Sequence, residues 1–180
     1  TLPPLTGAAG RVSYLRDRLV VTVDAGRLSA PQGGDIDLTG SVFAIPDTRI
    51  NNPPARIDLR TDGSVTASLA VLDEPPFEFL TKAGLPVALA TGRARVAGNI
   101  DLRLGLKAAP GEAAFALDAT ATDVASDVVV PGRSLTAARL DIAARPDSLT
   151  VSGPVRLGQV PMDVTLVRAL GPGADPTSRI

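Results

Sequence analysis

Along most of the chain, apolar and polar residues alternate with a period of two. That spacing sends one set of side chains to each face of a β-strand. Leu19, Val21 and Val23 alternate with Arg18, Thr22 and Asp24; Ile36, Leu38 and Val42 with Asp35, Asp37, Thr39 and Ser41. Ile57 and Leu59 sit between Arg56, Asp58 and Arg60, and Val65, Ala67, Leu69 and Val71 face away from Ser64, Thr66 and Ser68. The second half repeats the pattern in longer runs. Ala94, Val96, Gly98, Ile100, Leu102, Leu104 and Leu106 make one row, opposed by Arg93, Arg95, Asn99, Asp101, Arg103 and Lys107. Phe115, Leu117, Ala119 and Ala121 follow, then Leu140 and Ile142, then Leu149, Val151, Val155 and Leu157, then Val160, Met162, Val164 and Leu166. Between Leu135 and Leu140 the apolar parity changes, which predicts a β-bulge in the strand from Leu135 to Ala144.

Turn residues punctuate these runs at Asp24-Ala25-Gly26, Gln32-Gly33-Gly34, Asn51-Asn52-Pro53-Pro54, Asp62-Gly63, Pro110-Gly111, Pro131-Gly132 and Arg145-Pro146-Asp147. Asp62-Gly63 and Pro146-Asp147 each join two alternating runs and read as hairpin connections. Only Glu74 to Gly84 looks helical. Its prolines stand at a helix start and its Gly at a C-cap, predicting a helix near 75–83 with Phe77 and Leu80 facing the sheet. The expected fold is all-β: an antiparallel, strongly twisted and curved sheet forming a half-open groove, with one short helix.

Composition narrows the chemistry. The 180 residues include no His, Cys or Trp, one Met, one Tyr and four Phe, with 18 Lys+Arg against 19 Asp+Glu. Without His the commonest general base and metal ligand is missing. Without Cys there is no thiolate nucleophile, Fe–S cluster, structural zinc or disulfide. A near-neutral balance with 3% aromatics argues against nucleic acid, which calls for a basic stripe and stacking rings. Carboxylates are the remaining acid/base groups. Asp35 and Asp37 share a strand face and Asp123 and Asp127 flank a short loop, but the acids alternate with Arg, Thr and Ser on what reads as the solvated face. Surface ion pairs such as Arg56/Asp58/Arg60 and Asp101/Arg103 account for them better than a glycosidase pair. Gly33-Gly34-Asp35-Ile36-Asp37 is one copy of a calcium β-roll-like turn without the successive coils that supply the other ligands. No catalytic residue, metal site or cofactor is expected.

The apolar face carries the functional signal. It is almost wholly Leu, Val, Ile and Ala, whereas a closed core normally includes several large rings. An open, curved sheet lined this way would make a smooth channel for acyl chains. Two sheets closed on each other, a structural or adhesive β-sandwich binding protein partners through its polar face, is the alternative.

Two stretches resemble a known family. The first runs from Val65-Thr66-Ala67-Ser68-Leu69-Ala70-Val71-Leu72-Asp73-Glu74-Pro75-Pro76-Phe77 through Ala83-Gly84-Leu85-Pro86 to Gly92. The second runs from Leu135-Thr136-Ala137-Ala138-Arg139-Leu140-Asp141-Ile142 to Val151-Ser152-Gly153-Pro154-Val155 and ends Val160-Pro161-Met162-Asp163-Val164. Both resemble the central region of AsmA-like bacterial envelope proteins of the YhdP type. The resemblance implies a periplasmic β-groove that carries phospholipids between inner and outer membrane in a Gram-negative envelope, within a protein anchored in the inner membrane by an N-terminal helix. No catalytic residues are known in that family. The chain opens on Thr1, holds no run of about 18 apolar residues, and closes on Ser178-Arg179-Ile180, which reads as a strand cut at its start. The expectation is therefore that residues 1–180 form a single segment of a larger repeating groove. Its partners would be phospholipid acyl chains and adjacent segments of the same protein. The residues expected to line the groove are Leu102, Leu104, Leu106, Leu117, Leu140, Ile142, Val151, Val155, Val164 and Leu166.

Overall fold

The structure, a computed structural model, describes residues 4–74, 79–82, 85–105, 114–130 and 132–169. Ten strands form one antiparallel sheet: β1 (Leu5–Leu15), β2 (Arg18–Ser29), β3 (Asp35–Asp37), β4 (Val42–Ile45), β5 (Pro54–Ser64), β6 (Thr91–Arg103), β7 (Ala114–Ser126), β8 (Leu135–Ala144), β9 (Ser148–Leu157) and β10 (Val160–Ala169). Their order across the sheet is β1-β2-β3-β5-β6-β7-β8-β9-β10, with β4 beside β3 between β2 and β5. The chain is thus a meander in which each strand pairs with its sequence neighbour or the next but one. The all-β expectation of a single curved antiparallel sheet holds. Among the described residues all ten strands belong to one sheet, and none forms the second sheet of a sandwich.

Hairpin chemistry fixes several registers. Arg16 and Asp17, both at positive φ, form the two-residue connection of β1 to β2, the geometry of a type I′ turn. Pro146-Asp147 connects β8 to β9 as expected, with Arg145 and Ser148 exchanging backbone hydrogen bonds at 2.8 and 3.3 Å. The predicted bulge is also present. Between Thr136 and Asp141 the pairing of β8 with β9 slips by one residue, the extra residue lying on β8. A second slip sits on β7 opposite Gly92, where Asp123 adopts φ 52°. Gly92, at φ +123°, leaves room there for the carbonyl of Thr122, which a Cβ would meet at 2.7 Å.

Four expectations are corrected. Val65, Ala67, Leu69 and Val71 belong to a helix, α1 (Val65–Leu72), and not to a strand. Over eight residues the spacing fits either period, and the boundary decides. Ser64 ends β5 in an extended conformation and its Oγ accepts from Ala67 N at 2.9 Å, an N-cap. The same hydroxyl donates to the Gly33 carbonyl at 2.8 Å, tying the helix start to the loop after β2. Asp62-Gly63 is accordingly the last turn-like pair inside β5 and not a hairpin. Asp24-Ala25-Gly26 lies inside β2, where the register with β1 is irregular; these residues loosen the ladder without reversing the chain. One strand went unannounced: β1 is eleven residues long, and its stretch from Thr6 to Gly10 carries no apolar alternation. The run expected from Ile36 to Val42 splits into β3 and β4 around Leu38–Ser41.

A second short helix, α2 (Phe79–Lys82), falls within the expected 75–83 helix, and Leu80 is buried as foreseen. Phe77 lies outside the described residues. Asp73, at the C-cap of α1, accepts from Leu80 N, Thr81 N and Thr81 Oγ1, so one carboxylate joins the two helices.

Replacing Ser64 by Ala removes both the helix cap and the bond to Gly33. A loss of about 1 kcal/mol is expected from the cap, read as a lower urea midpoint with an unchanged slope. A midpoint equal to that of the parent chain would contradict this account of why α1 starts where it does.

Candidate functional site: two faces of one sheet

Cross-strand register assigns every side chain to a face. One apolar row runs Thr61–Val96–Ala119–Ile142–Val151–Leu166, a second Leu59–Gly98–Leu117–Ala144–Leu149, and a third Gly63–Ala94–Ala121–Leu140, with Gly153 and Val164 continuing it. Towards the other edge the same face carries Ile57, Phe43, Val21 and Val12 side by side. The aliphatic surface therefore extends from β1 to β10. Within it Gly98 stands at φ +154° beside the Ala116 carbonyl.

The residues expected to line a groove fall on this one face. Leu102, Leu117, Leu140, Ile142, Val151, Val164 and Leu166 are half-buried strand residues, and Val155 is buried at 5% exposure. Leu104 is half-buried just past the end of β6, held by its N–H to the Pro53 carbonyl at 2.9 Å. Leu106 lies outside the described residues. The most enclosed part of the face is Ala121, Val124, Ala137 and Val155, against which Val65 of α1, Ala90, Leu140, Ile142 and Val164 pack. Six of the eleven buried apolar residues among those described are Ala, so the close packing is small-residue packing where α1 lies on β5 and β6. Away from the helices the Leu, Ile and Val side chains remain half open to solvent, with no second sheet upon them among the described residues.

The opposite face is an ion-pair lattice. Asp62 sits between two arginines of β6, 2.6 Å from Arg93 Nε and 2.8 Å from Arg95 Nε. Arg56 binds Asp58 along its own strand and Asp101 across to β6. Arg139 pairs with Asp141 at 2.7 Å, and Thr120 donates to the same carboxylate. Arg145 reaches Asp118 at 2.7 Å and the Leu117 carbonyl at 2.8 Å. Surface ion pairing of these acids was expected, although Arg56 bridges both Asp58 and Asp101 and Arg60 contributes its backbone, exchanging hydrogen bonds with the Ser41 hydroxyl at 2.9 Å. The other flagged acids are likewise structural or solvated. Asp35 accepts from Ser29 Oγ and Asp37 from Thr39 N, while Asp123 lies in the β7 bulge and Asp127 just beyond that strand.

Curvature leaves an open hollow of about 590 Å³ over this polar face, spanning β3 to β9 and including Asp37, Arg60, Asp62, Arg95, Asp118, Thr120 and Asp141. No local pattern announces it, because its residues come from strands far apart in the chain. Asp37 faces Asp62 directly across β3 and β5, a like-charge pair held between Arg27, Arg93 and Arg95. The carboxylates Asp62, Asp118 and Asp141 are already matched by neighbouring arginines, so the hollow reads as lattice surface and not as an acid/base site. Among the described residues no group of three or more acids could hold a metal ion. No described helix is long and apolar enough to cross a membrane. Compared with known proteins, the chain matches no family model, no curated protein and no solved structure.

Arg93 first, with Arg95, holds the Asp62 carboxyl below the usual carboxylate range, and Arg139 does the same for Asp141. Such carboxylates contribute stability that is in place above the unfolded-state value, roughly 3.9, and is lost as pH falls through the lower folded value. The urea midpoint is therefore expected to stay level from about pH 7 to pH 5 and to fall below about pH 4. Asp62→Asn should flatten part of that acid limb. An unchanged acid limb in the variant would show that the Arg93–Asp62–Arg95 cluster contributes nothing.

Proposed function

We propose that the chain is a non-enzymatic lipid-binding segment whose aliphatic sheet face shields phospholipid acyl chains. The observation that carries the reading is a continuous Leu/Val/Ile/Ala surface across a single sheet, half open to solvent and covered by no second layer among the described residues. Full burial of such a side chain stabilises by about 1.5–3 kcal/mol, so each half-exposed one leaves about 1 kcal/mol for a covering ligand to recover. Exposed apolar patches of this extent mark interaction sites. A methylene chain suits the surface because its neighbours along Leu117, Ile142 and Val151 are aliphatic; the polar groups on that face, Thr61, Tyr14 and Arg168, stand outside this stretch.

The resemblance of the Val65–Gly92 and Leu135–Val164 stretches to AsmA-like proteins of the YhdP type supports the same reading. On this reading the segment would lie in the periplasm, within an inner-membrane-anchored protein that passes phospholipids between the two membranes. In that setting the sheet edges would continue into adjacent segments of the same protein. A protein-binding envelope module remains the alternative; its sandwich form has no counterpart in the one-sheet architecture, leaving a polar-face contact as the variant to test.

Mass spectrometry of purified protein, run under conditions that keep complexes intact and again after solvent extraction, should recover phospholipid at up to a few molecules per chain. Leu117→Asp, which places a charge between Gly98 and Ala144 on the half-open face, should abolish that recovery while the chain stays folded by circular dichroism. Protein free of lipid after expression in a Gram-negative host, and unable to take up a photoreactive phospholipid from vesicles, would overturn the proposal.

A further inference from the structure

Both outer strands of the sheet present unpaired backbone edges among the described residues, since β1 pairs only with β2 and β10 only with β9. Long edges of this kind are normally blunted by charges, proline or bulges. On β1 the register is broken between Thr6 and Gly10 but regular from Gly10 to Leu15; β10 runs without interruption from Val160 to Ala169. The residues on them are unusually bare: Val12 and Leu15 are each 70% exposed, Tyr14 61%, Val167 43% and Met162 39%.

The topology restricts how two copies could meet. Eight successive antiparallel steps lead from β1 to β10, so the two edge strands run in the same direction. A second copy shifted sideways without rotation would therefore set its β1 parallel to β10, keeping apolar face with apolar face. An antiparallel contact that preserves the faces could only join like edges, β10 to β10 or β1 to β1.

Side-chain chemistry separates these arrangements. Even-numbered residues of β10 and of β1 from Gly10 to Leu15 lie on the apolar face and odd-numbered residues on the polar face, by their registers with Val21 and Val151. Sliding β10 beside β1 in parallel gives one register in which every pair matches. Asp163 lies opposite Arg11, Val164 opposite Val12, Thr165 opposite Ser13, Leu166 opposite Tyr14 and Val167 opposite Leu15; Arg11 already pairs with Asp24 of β2 at 3.2 Å but is 83% exposed, so its guanidinium would be shared between the two carboxylates. The ladder agrees as well. Val23 N–H and C=O turn away from β1 to Ser41 and Gly40, so its partner Gly10, and with it Val12 and Tyr14, points backbone groups outward. On β10 the two-residue Gly158–Gln159 loop likewise turns Asp163, Thr165 and Val167 outward. In a parallel ladder Asp163 and Thr165 then bond to the residues flanking Arg11 and Ser13. By contrast, β10 against β10 puts no cation opposite Asp163.

We propose that copies of residues 1–180, their edges not taken up by adjacent segments, associate head to tail, β10 of one adding in parallel to β1 of the next, with Asp163–Arg11 setting the register. The contact is heterologous, so it propagates until curvature closes it or it runs on as a chain of copies. A five-residue edge buries far less than the roughly 1,000 Å² of a stable interface, so association is weak and depends on concentration.

The chain has no cysteine, which makes the test clean. Ser13→Cys and Thr165→Cys chains, mixed at high concentration under mild oxidation, should cross-link with each other well above either alone. The double variant Ser13→Cys/Thr165→Cys should give a ladder of multimers. Arg11→Asp should weaken association at least about tenfold by juxtaposing like charges, and Arg11→Asp with Asp163→Arg should restore it. Sedimentation showing only monomer at every concentration would overturn the proposal. So would Thr165→Cys homodimers outpacing the mixed pair, which would assign the contact to two β10 edges. Lipid removal should leave the mixed cross-link in place, so this result and the lipid-binding result are read independently.

Discussion

The structure depends on the ladder between β5 and β6, the longest uninterrupted pairing in the sheet, from Pro54–Arg103 to Ser64–Arg93. A single-layer sheet has no opposing layer to squeeze its core dry, so backbone hydrogen bonds and cross-strand side-chain pairs must hold more of it than in a sandwich. At this ladder both resources coincide. Its polar side carries Arg56–Asp101 and the Arg93–Asp62–Arg95 cluster. Its apolar side stacks Ile57 on Ile100, and its far end feeds α1, which packs on β5 and β6. Everything outward from this pair is added hairpin by hairpin.

The two faces then divide the labour. Exposed ion pairs are individually worth little, typically 0–1 kcal/mol, but a lattice in which each arginine spans neighbouring strands penalises slippage of the register. A one-residue slip would turn the apolar rows out and break several pairs at once. The aliphatic face can therefore remain half open without losing its alignment. The hollow on the polar side is a by-product of the same curvature, lined by groups already satisfied by one another.

Much of this was legible in the residues. The rows from Ala94 to Leu102, from Phe115 to Ala121 and from Leu149 to Leu166 announce strands, and the parity change before Leu140 announces the β8 bulge, because period-two patterning is a local property. What was hidden depended on partners. Thr6 to Gly10 has no apolar rhythm, and β2 recruits it across a turn whose residues, Arg16 and Asp17, are not the usual glycines. Val65 to Leu72 fits both periods and becomes helical because Ser64 caps it against Gly33. Asp62-Gly63 looks like a turn and stays extended because Arg93 and Ile36 lie on either side of it. The described residues among the candidate lining set share one face, since face membership follows parity; their degree of enclosure, which depends on α1 and on sheet curvature, does not follow from parity.

The meander has a consequence for how such a protein changes in size over evolutionary time. Each hairpin contributes one ascending and one descending strand, both carrying the same two-faced pattern. Gain or loss of a whole hairpin, such as β7–β8 or β9–β10, leaves the orientation of the outermost strands and the identity of both faces untouched. Gain or loss of a single strand would reverse the final edge. Length in this architecture is therefore free to vary in units of about 20–30 residues, and selection can tune the reach of the aliphatic surface by duplicating hairpins without redesigning a core.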